Sequence, residues 1–465
     1  MRRFCENRKS LSFRRRYRSA SDVLSKADGR STFSGDRAAA AELQRGLVPS
    51  NDKAKSCILI YLWGGPPQMD MWDPNPEAPE GIRSLFQPIS TTLPGVHVSE
   101  RMPRFAKLTD QTAIIRSVSH DSNNHEPSVY RTLTGHKNTS LRVPRNDRNR
   151  RDWPNMPSVV SHFQETGSIT IPRPIGHEGV TYSGTYSGFL GPRYDPMEVE
   201  VAGELKGPPP LPLTLQDGVS NQRLTARRGL LDVLEDTDRR FQAEPPAREM
   251  DDFRELAYSM LGGSPIKEAL RIDNVDAKTR DRYGRNEWGE AILTGKRLLE
   301  AGMRLVTISW MYIQKSGNVA NIWDNHGPFE GKTGYQMLDA EYGLTTLDRG
   351  FEALVEDLSS TGLLDETLIA MYGEFGRTPK INKNNGRDHW GAVQSAVLTG
   401  GGIQGGQVYG TTDRQSAYPT SNPVSPEDLL ATIYHAMGIS NESLIYDQAD
   451  RPHPVINGSP LLGLF

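Results

Sequence analysis

The chain has 465 residues, with 54 Lys and Arg against 57 Asp and Glu, and two cysteines, Cys5 and Cys57. That length suits one large α/β domain with insertions, or two to three ordinary domains. Two cysteines exclude a disulfide scaffold and Cys-rich zinc modules, no apolar run reaches the roughly 18 residues of a membrane span, and a net charge of -3 does not suit a nucleic-acid binder.

Taken in chain order, residues 1–20 hold eight basic residues and one acid, Glu6. They read as a solvated tail or as a degenerate twin-arginine signal region, since Arg2-Arg3 and Arg14-Arg15-Arg16 match that signal's first element. The polar and Ala-rich stretch over 19–55 is not the apolar region such a signal needs next. The expected organisation is therefore a tail over about 1–50 and one domain over 51–465. The first strand is expected at 57–63, a continuous apolar run that stops at Gly64-Gly65-Pro66-Pro67. Similar runs follow at 112–118, 304–310 and 367–372. Helical patterns precede the last two, one ending at Gly302 and one, with Leu347, Phe351, Leu354 and Leu358, ending at Gly362. The alternation predicts a doubly wound α/β sheet. Residues from about 200 to 300 are charged and helical and read as a helical insertion. The arginine-rich stretch 142–151 reads as an exposed loop, with a substrate-facing anion patch as the alternative. Gly400 to Gly406 lacks a phosphate-loop spacing and reads as a turn between short strands.

In open α/β sheets ligands bind beyond the carboxyl ends of the strands. Every expected strand end here is followed by carboxylates, and three of the four by histidine. Of ten histidines, His120, His125, His326 and His389 fall in those loops. Mixed His and Asp/Glu donors from separate loops are what a zinc, manganese or iron site requires. A turn or cap role is the alternative for each residue taken singly.

Several of these segments resemble one family. Gly64-Gly65-Pro66-Pro67-Gln68-Met69-Asp70, Trp323-Asp324-Asn325-His326-Gly327, Gly373-Glu374-Phe375-Gly376-Arg377-Thr378-Pro379 and Gly386-Arg387-Asp388-His389-Trp390 are similar to segments of the DUF1501 proteins, as are the stretches 188–196 and 398–410. That family falls in the alkaline-phosphatase-like (sulfatase-like) superfamily and is common in planctomycetes and related bacteria. The resemblance spans about 56–440. It implies a mostly parallel, doubly wound sheet flanked by helices, and a one- or two-metal site. By order along the chain, Asp70 corresponds to the first ligand, Asp324 and His326 to the middle pair, Glu374 to the next and His389 to the last. Asp388 is a further ligand or orients His389.

The run His125 to Gly135 resembles the sulfatase signature, with His125 at the place of the Cys or Ser that becomes formylglycine. Formylglycine chemistry is therefore not expected. His125 is a metal ligand, a phosphohistidine-type nucleophile or simply a helix-start residue. Arg377 and Arg116 are candidate anion holders, or structural partners of a buried carboxylate such as Glu374. Trp323 and Trp390 either shape the pocket or pack.

The expected function is hydrolysis of phosphate or sulfate esters through metal-activated water. The cofactor is a divalent metal, zinc first, then manganese, iron or calcium. The substrate is a small-molecule or glycan ester, and the family resemblance implies a periplasmic or exported protein. The alternatives are an exported, metal-stabilised protein that binds sulfated or phosphorylated glycans without turnover, and loops whose acids and histidines are purely structural.

Overall fold

The computed structural model of the chain describes residues 53–199 and 265–465, apart from 139–142, 145–147, 178–179, 311, 314–318, 321 and 330, and also residues 222, 223 and 226. The expected tail over 1–50 and most of the expected insertion lie outside the described residues.

Eight strands form one sheet: β1 (Ser56–Tyr61), β2 (Thr112–Val118), β3 (Ser168–Ile171), β4 (Met197–Glu198), β5 (Leu305–Ser309), β6 (Thr367–Tyr372), β7 (Gln394–Thr399) and β8 (Gln407–Tyr409). They lie in the order β8-β2-β7-β6-β1-β5-β3-β4. All the pairings are parallel except those of β7, which runs against both β6 and β2. The four expected strands are therefore β1, β2, β5 and β6, and the expected mostly parallel α/β architecture is the one found. The glycines at 400–406 do form the turn between two strands, β7 and β8.

The unbroken apolar runs follow from burial of the sheet on both faces. Side chains alternate along a strand, so Ile58 and Ile60 of β1 enter one core and Cys57, Leu59 and Tyr61 the other. Among the described residues, the longer helices packed on the sheet are α1 (His125–Thr134), α2 (Met156–Gln164), α3 (Glu287–Glu300), α4 (Leu344–Ser360) and α5 (Pro426–Ala436). Ile292 and Leu298 of α3, with Leu347, Phe351 and Leu354 of α4, fill the first core. Val129 and Leu133 of α1, Val159 of α2 and Leu430 and Ile433 of α5 fill the second. Each such side chain contributes about 1.5–3 kcal/mol by leaving water, which is what fixes the strands as a rigid frame for the loops at their ends.

The helix boundaries follow from local chemistry. Asn286 accepts from the amides of Trp288 and Gly289 at the start of α3, and Ser425 and Asp428 close a reciprocal capping box on α5. Gly135 takes a left-handed conformation (φ 71°) to end α1. Among the described residues no helix is long and apolar enough to cross a membrane.

Candidate metal centre

The register places the carboxyl ends of β5, β1 and β6 side by side, with Tyr61 opposite Ser309 on one flank and Tyr372 on the other. Loops leaving these ends must share one edge. His389 reaches the same edge by the opposite route. It precedes β7, and because β7 is antiparallel its beginning lies where its neighbours end. A two-residue ladder finishes the positioning, pairing Gly376 with Trp390 and Arg377 with His389. The chain after β1 must then pass close beneath Phe375. Gly65 sits there at φ 90°, and a Cβ at that position would lie 2.5 Å from the Phe375 ring.

Four side chains converge on Asp324. His389 Nε2 lies 2.9 Å from Asp324 Oδ1, and His326 Nε2 and His125 Nε2 lie 3.2 and 3.4 Å from Oδ2. Arg377 Nη2 donates to Oδ1 at 2.7 Å. The other nitrogen of each imidazole faces an acceptor: His125 Nδ1 the Glu374 carboxylate at 2.7 Å, His389 Nδ1 the Asn123 carbonyl at 3.0 Å, and His326 Nδ1 the Gly327 carbonyl at 3.4 Å. A proton on Nδ1 leaves the Nε2 lone pair pointing at the cluster, which is how metal-binding histidines are oriented. Donor atoms of His125, Asp324 and His389 lie within 4.8 Å of one another. Two imidazoles and a carboxylate in that space match the donor chemistry of zinc, manganese or iron, with His326 beside them, half exposed at the rim. They do not match calcium, which takes oxygen ligands.

The electrostatics follow from this packing. Burial pushes the Asp324 carboxyl upward, but the Arg377 guanidinium and the three histidine hydrogen bonds outweigh it and hold the group well below the carboxylate range. Burial pushes His125 down, yet its hydrogen bonds to Asp324 and Glu374 dominate and raise it to about 9. The hydrogen bond to Asp324 also raises His326.

The other expected site residues have different partners. Asp70 is fully buried and paired with Arg387, whose Nε and Nη2 reach its two oxygens at 2.8 and 3.1 Å, while the Tyr335 hydroxyl donates to Oδ1 at 2.7 Å. It stands outside the histidine cluster because its acceptor capacity is taken. Glu374 lies against the cluster, but both its oxygens accept the Gly64 amide, at 2.8 and 2.9 Å, and one also holds His125. Its contact with the cluster is through the His125 ring. Asp388 is exposed and accepts from Asn382 at 2.9 Å. Arg377 is wholly buried and donates to the carbonyls of Gly64, Gly65 and Arg387 as well as to Asp324. It has the structural partner foreseen as the alternative, though that partner is Asp324 and not Glu374. Arg116 holds Asp73 at 3.2 Å and the Trp72 carbonyl. Arg148 and Arg150, from the arginine-rich stretch, both pair with Asp195, at 2.7 and 2.6 Å. Trp323 packs edge-on to Trp310, and Trp390 donates to the Ala417 carbonyl.

Two contributors, Arg387 and Gln68, escaped the sequence reading, and His120, read there as a possible metal donor, has other partners. Arg387 neutralises Asp70, and its position beside Asp388 in a histidine-bearing loop is the signal that would have suggested it. Gln68 bonds both the amide and the carbonyl of Arg377. His120 accepts the Ser122 amide on Nδ1 and donates from Nε2 to the Glu374 carbonyl at 2.6 Å, with burial lowering its basicity. It therefore holds the Glu374 backbone as a neutral imidazole.

No curated protein matches the chain. Solved structures that are similar include Ps i-CgsB (12% identity over 88% of this chain and 75% of that one, TM-score 0.41). The phosphonate monoester hydrolase SpPMH from Silicibacter pomeroyi is also similar (14%, 78% and 71%, TM-score 0.34), as is the lipoteichoic acid synthase LtaP from Listeria monocytogenes (11%, 91% and 82%, TM-score 0.32). Residues 54–465 match the family described as a protein of unknown function, DUF1501, and the chain belongs to that family.

Proposed function

We propose that this chain is a metal-dependent hydrolase of phosphate or sulfate esters that works without a protein nucleophile. The observation that carries the reading is the convergence of three imidazole Nε2 atoms on one carboxylate, each Nδ1 facing an acceptor, at the carboxyl edge of a parallel sheet. His125, Asp324 and His389 hold the ion, and His326 stands at the rim where a substrate arrives. A divalent ion supplies, when bound, a Lewis acid and a way to activate water at neutral pH. Asp324 holds the cluster together, Glu374 and the Asn123 carbonyl fix the two ligand tautomers, and Phe375, whose ring centroid is 4.8 Å from that of His389 and 5.0 Å from that of His125, keeps both rings in place.

The start of α1, where a hydroxyl or thiol nucleophile is expected by resemblance, carries His125. The nearby hydroxyls are turned elsewhere: Ser122 to the Asn124 carbonyl and Ser128 to the Ser122 carbonyl. This supports attack by water, and it equally supports a protein that binds an anionic ester without turning it over. Metal analysis of the purified protein, followed by assays of the zinc- and manganese-loaded forms on aryl phosphate and aryl sulfate, separates the two. The expected result is a bound ion and turnover of one ester class, both lost in His389→Ala, with metal affinity reduced more than about 100-fold. A bound ion with no turnover of either ester class supports the binding protein, and absence of metal removes both readings.

A further inference from the structure

We infer that the centre accepts a single ion, because the guanidinium of Arg377 is a built-in cation lodged where a second ion would have to sit. This rests on the metal-site reading above and narrows it. A second ion close to the first needs oxygen donors and a carboxylate to share. On the inner side of the cluster, where Arg377 lies, Asp324 Oδ1 and the carbonyls of Gly64 and Gly65 all accept from its guanidinium. The guanidinium is completely buried and cannot lose its proton, so its charge is permanent. It is also braced: Gln68 fixes its backbone from both sides, and its Nη1 donates to the Arg387 carbonyl at 3.0 Å.

Among the described residues, neither Glu374 nor Asp70 replaces what Arg377 has taken. Both oxygens of Glu374 face the Gly64 amide, and Asp70 is closed off by Arg387 and Tyr335. A divalent ion placed on the inner side of Asp324 would thus meet a fixed positive charge without a carboxylate to compensate. Beside it, His125, His389 and one oxygen of Asp324 form one donor set. With one divalent ion, the charges of Asp324, Glu374 and Arg377 leave the centre at +1 when the imidazoles are neutral. That sign favours an anionic ester while limiting the repulsion a second ion would add.

The test is a count. Metal-free full-length protein is loaded with excess Mn2+, desalted, and its metal content compared with that of the His125→Ala/His389→Ala variant, folding being checked by circular dichroism. The difference is expected to be one ion per chain, and the electron paramagnetic resonance spectrum that of isolated Mn2+. A difference of two, or an exchange-coupled pair signal, overturns this inference and leaves the metal-site reading standing. A difference of zero overturns the metal-site reading itself, and this inference with it. In Arg377→Gln, which removes the charge but keeps an amide, the count is expected to rise above one at the same Mn2+ concentration. A folded Arg377→Gln protein that still binds one ion would show that the guanidinium is not what limits the site, and the wild-type count decides the stoichiometry if that variant does not fold.

Discussion

Asp70 and Asp324 follow neighbouring parallel strands, and each is matched to a wholly buried arginine from one short segment, Arg387 and Arg377. Asp70 is sealed, with both oxygens claimed by Arg387 and a tyrosine and no exposure to solvent. Asp324 keeps about a fifth of its side chain open and faces the Nε2 atoms of three imidazoles. The same residue type with the same kind of counter-charge is a fastener in one loop and the centre of a candidate site in the next. What separates them is the acceptor capacity left over once the arginine has been satisfied.

The largest effect that tests this contrast is on the fastener. Arg387→Ala leaves a buried carboxylate unpaired and is expected to cost about 3–5 kcal/mol in a urea denaturation series, whereas Asp70→Leu combined with Arg387→Met should recover most of that loss. A double variant no more stable than the single one would mean that the pair specifies the loop and does more than neutralise a charge.

A third buried aspartate sharpens the comparison because it lacks a paired guanidinium. Asp348 accepts only the backbone amides of Arg104 and Phe105, and burial raises its carboxyl to about 6. A folded value above the unfolded one of about 3.9 means that its contribution is complete below that unfolded value and fades as pH rises through about 6. Wild type should therefore lose about 2 kcal/mol relative to Asp348→Asn between pH 4 and pH 7, measured by denaturant midpoints across that range. A pH-independent difference between the two proteins would show that Asp348 is ionised throughout, like Asp324.

The smallest effect concerns orientation. Glu374→Gln keeps an acceptor for the Gly64 amide but offers His125 an amide that can shift its proton from Nδ1 to Nε2. Zinc or manganese affinity measured by calorimetry should fall about tenfold, near 1.4 kcal/mol, with little change in stability. A loss as large as that in His389→Ala would instead make Glu374 a direct ligand, as its place in the sequence first implied.

The parallel strands were readable because strands covered on both faces are largely apolar along their length, as 57–62 and 368–372 are. The helix ends were readable because Gly302 and Gly362 take conformations that other residues resist. The direction of β7 escaped notice, and with it the reason His389 reaches the site, since nothing in a short run such as 394–399 records which way it runs. The candidate site was half readable: loops rich in His and acid marked its edge, and Asp324, His326, His389 and His125 meet there. Asp70, Glu374 and Asp388 carry the same chemistry in the sequence, and only their neighbours in space set them apart.

The sequence alone therefore determined the sheet, its buried character and the set of ionisable loops at its carboxyl edge, because hydrophobic periodicity and turn chemistry are local properties. The tertiary structure decided which carboxylate stays available. That choice depends on which arginine, tyrosine or amide reaches it across hundreds of residues of chain, as Arg387 reaches Asp70 and the Gly64 amide reaches Glu374. Hydrogen-bond capacity is used up in space, by partners that sequence spacing does not name.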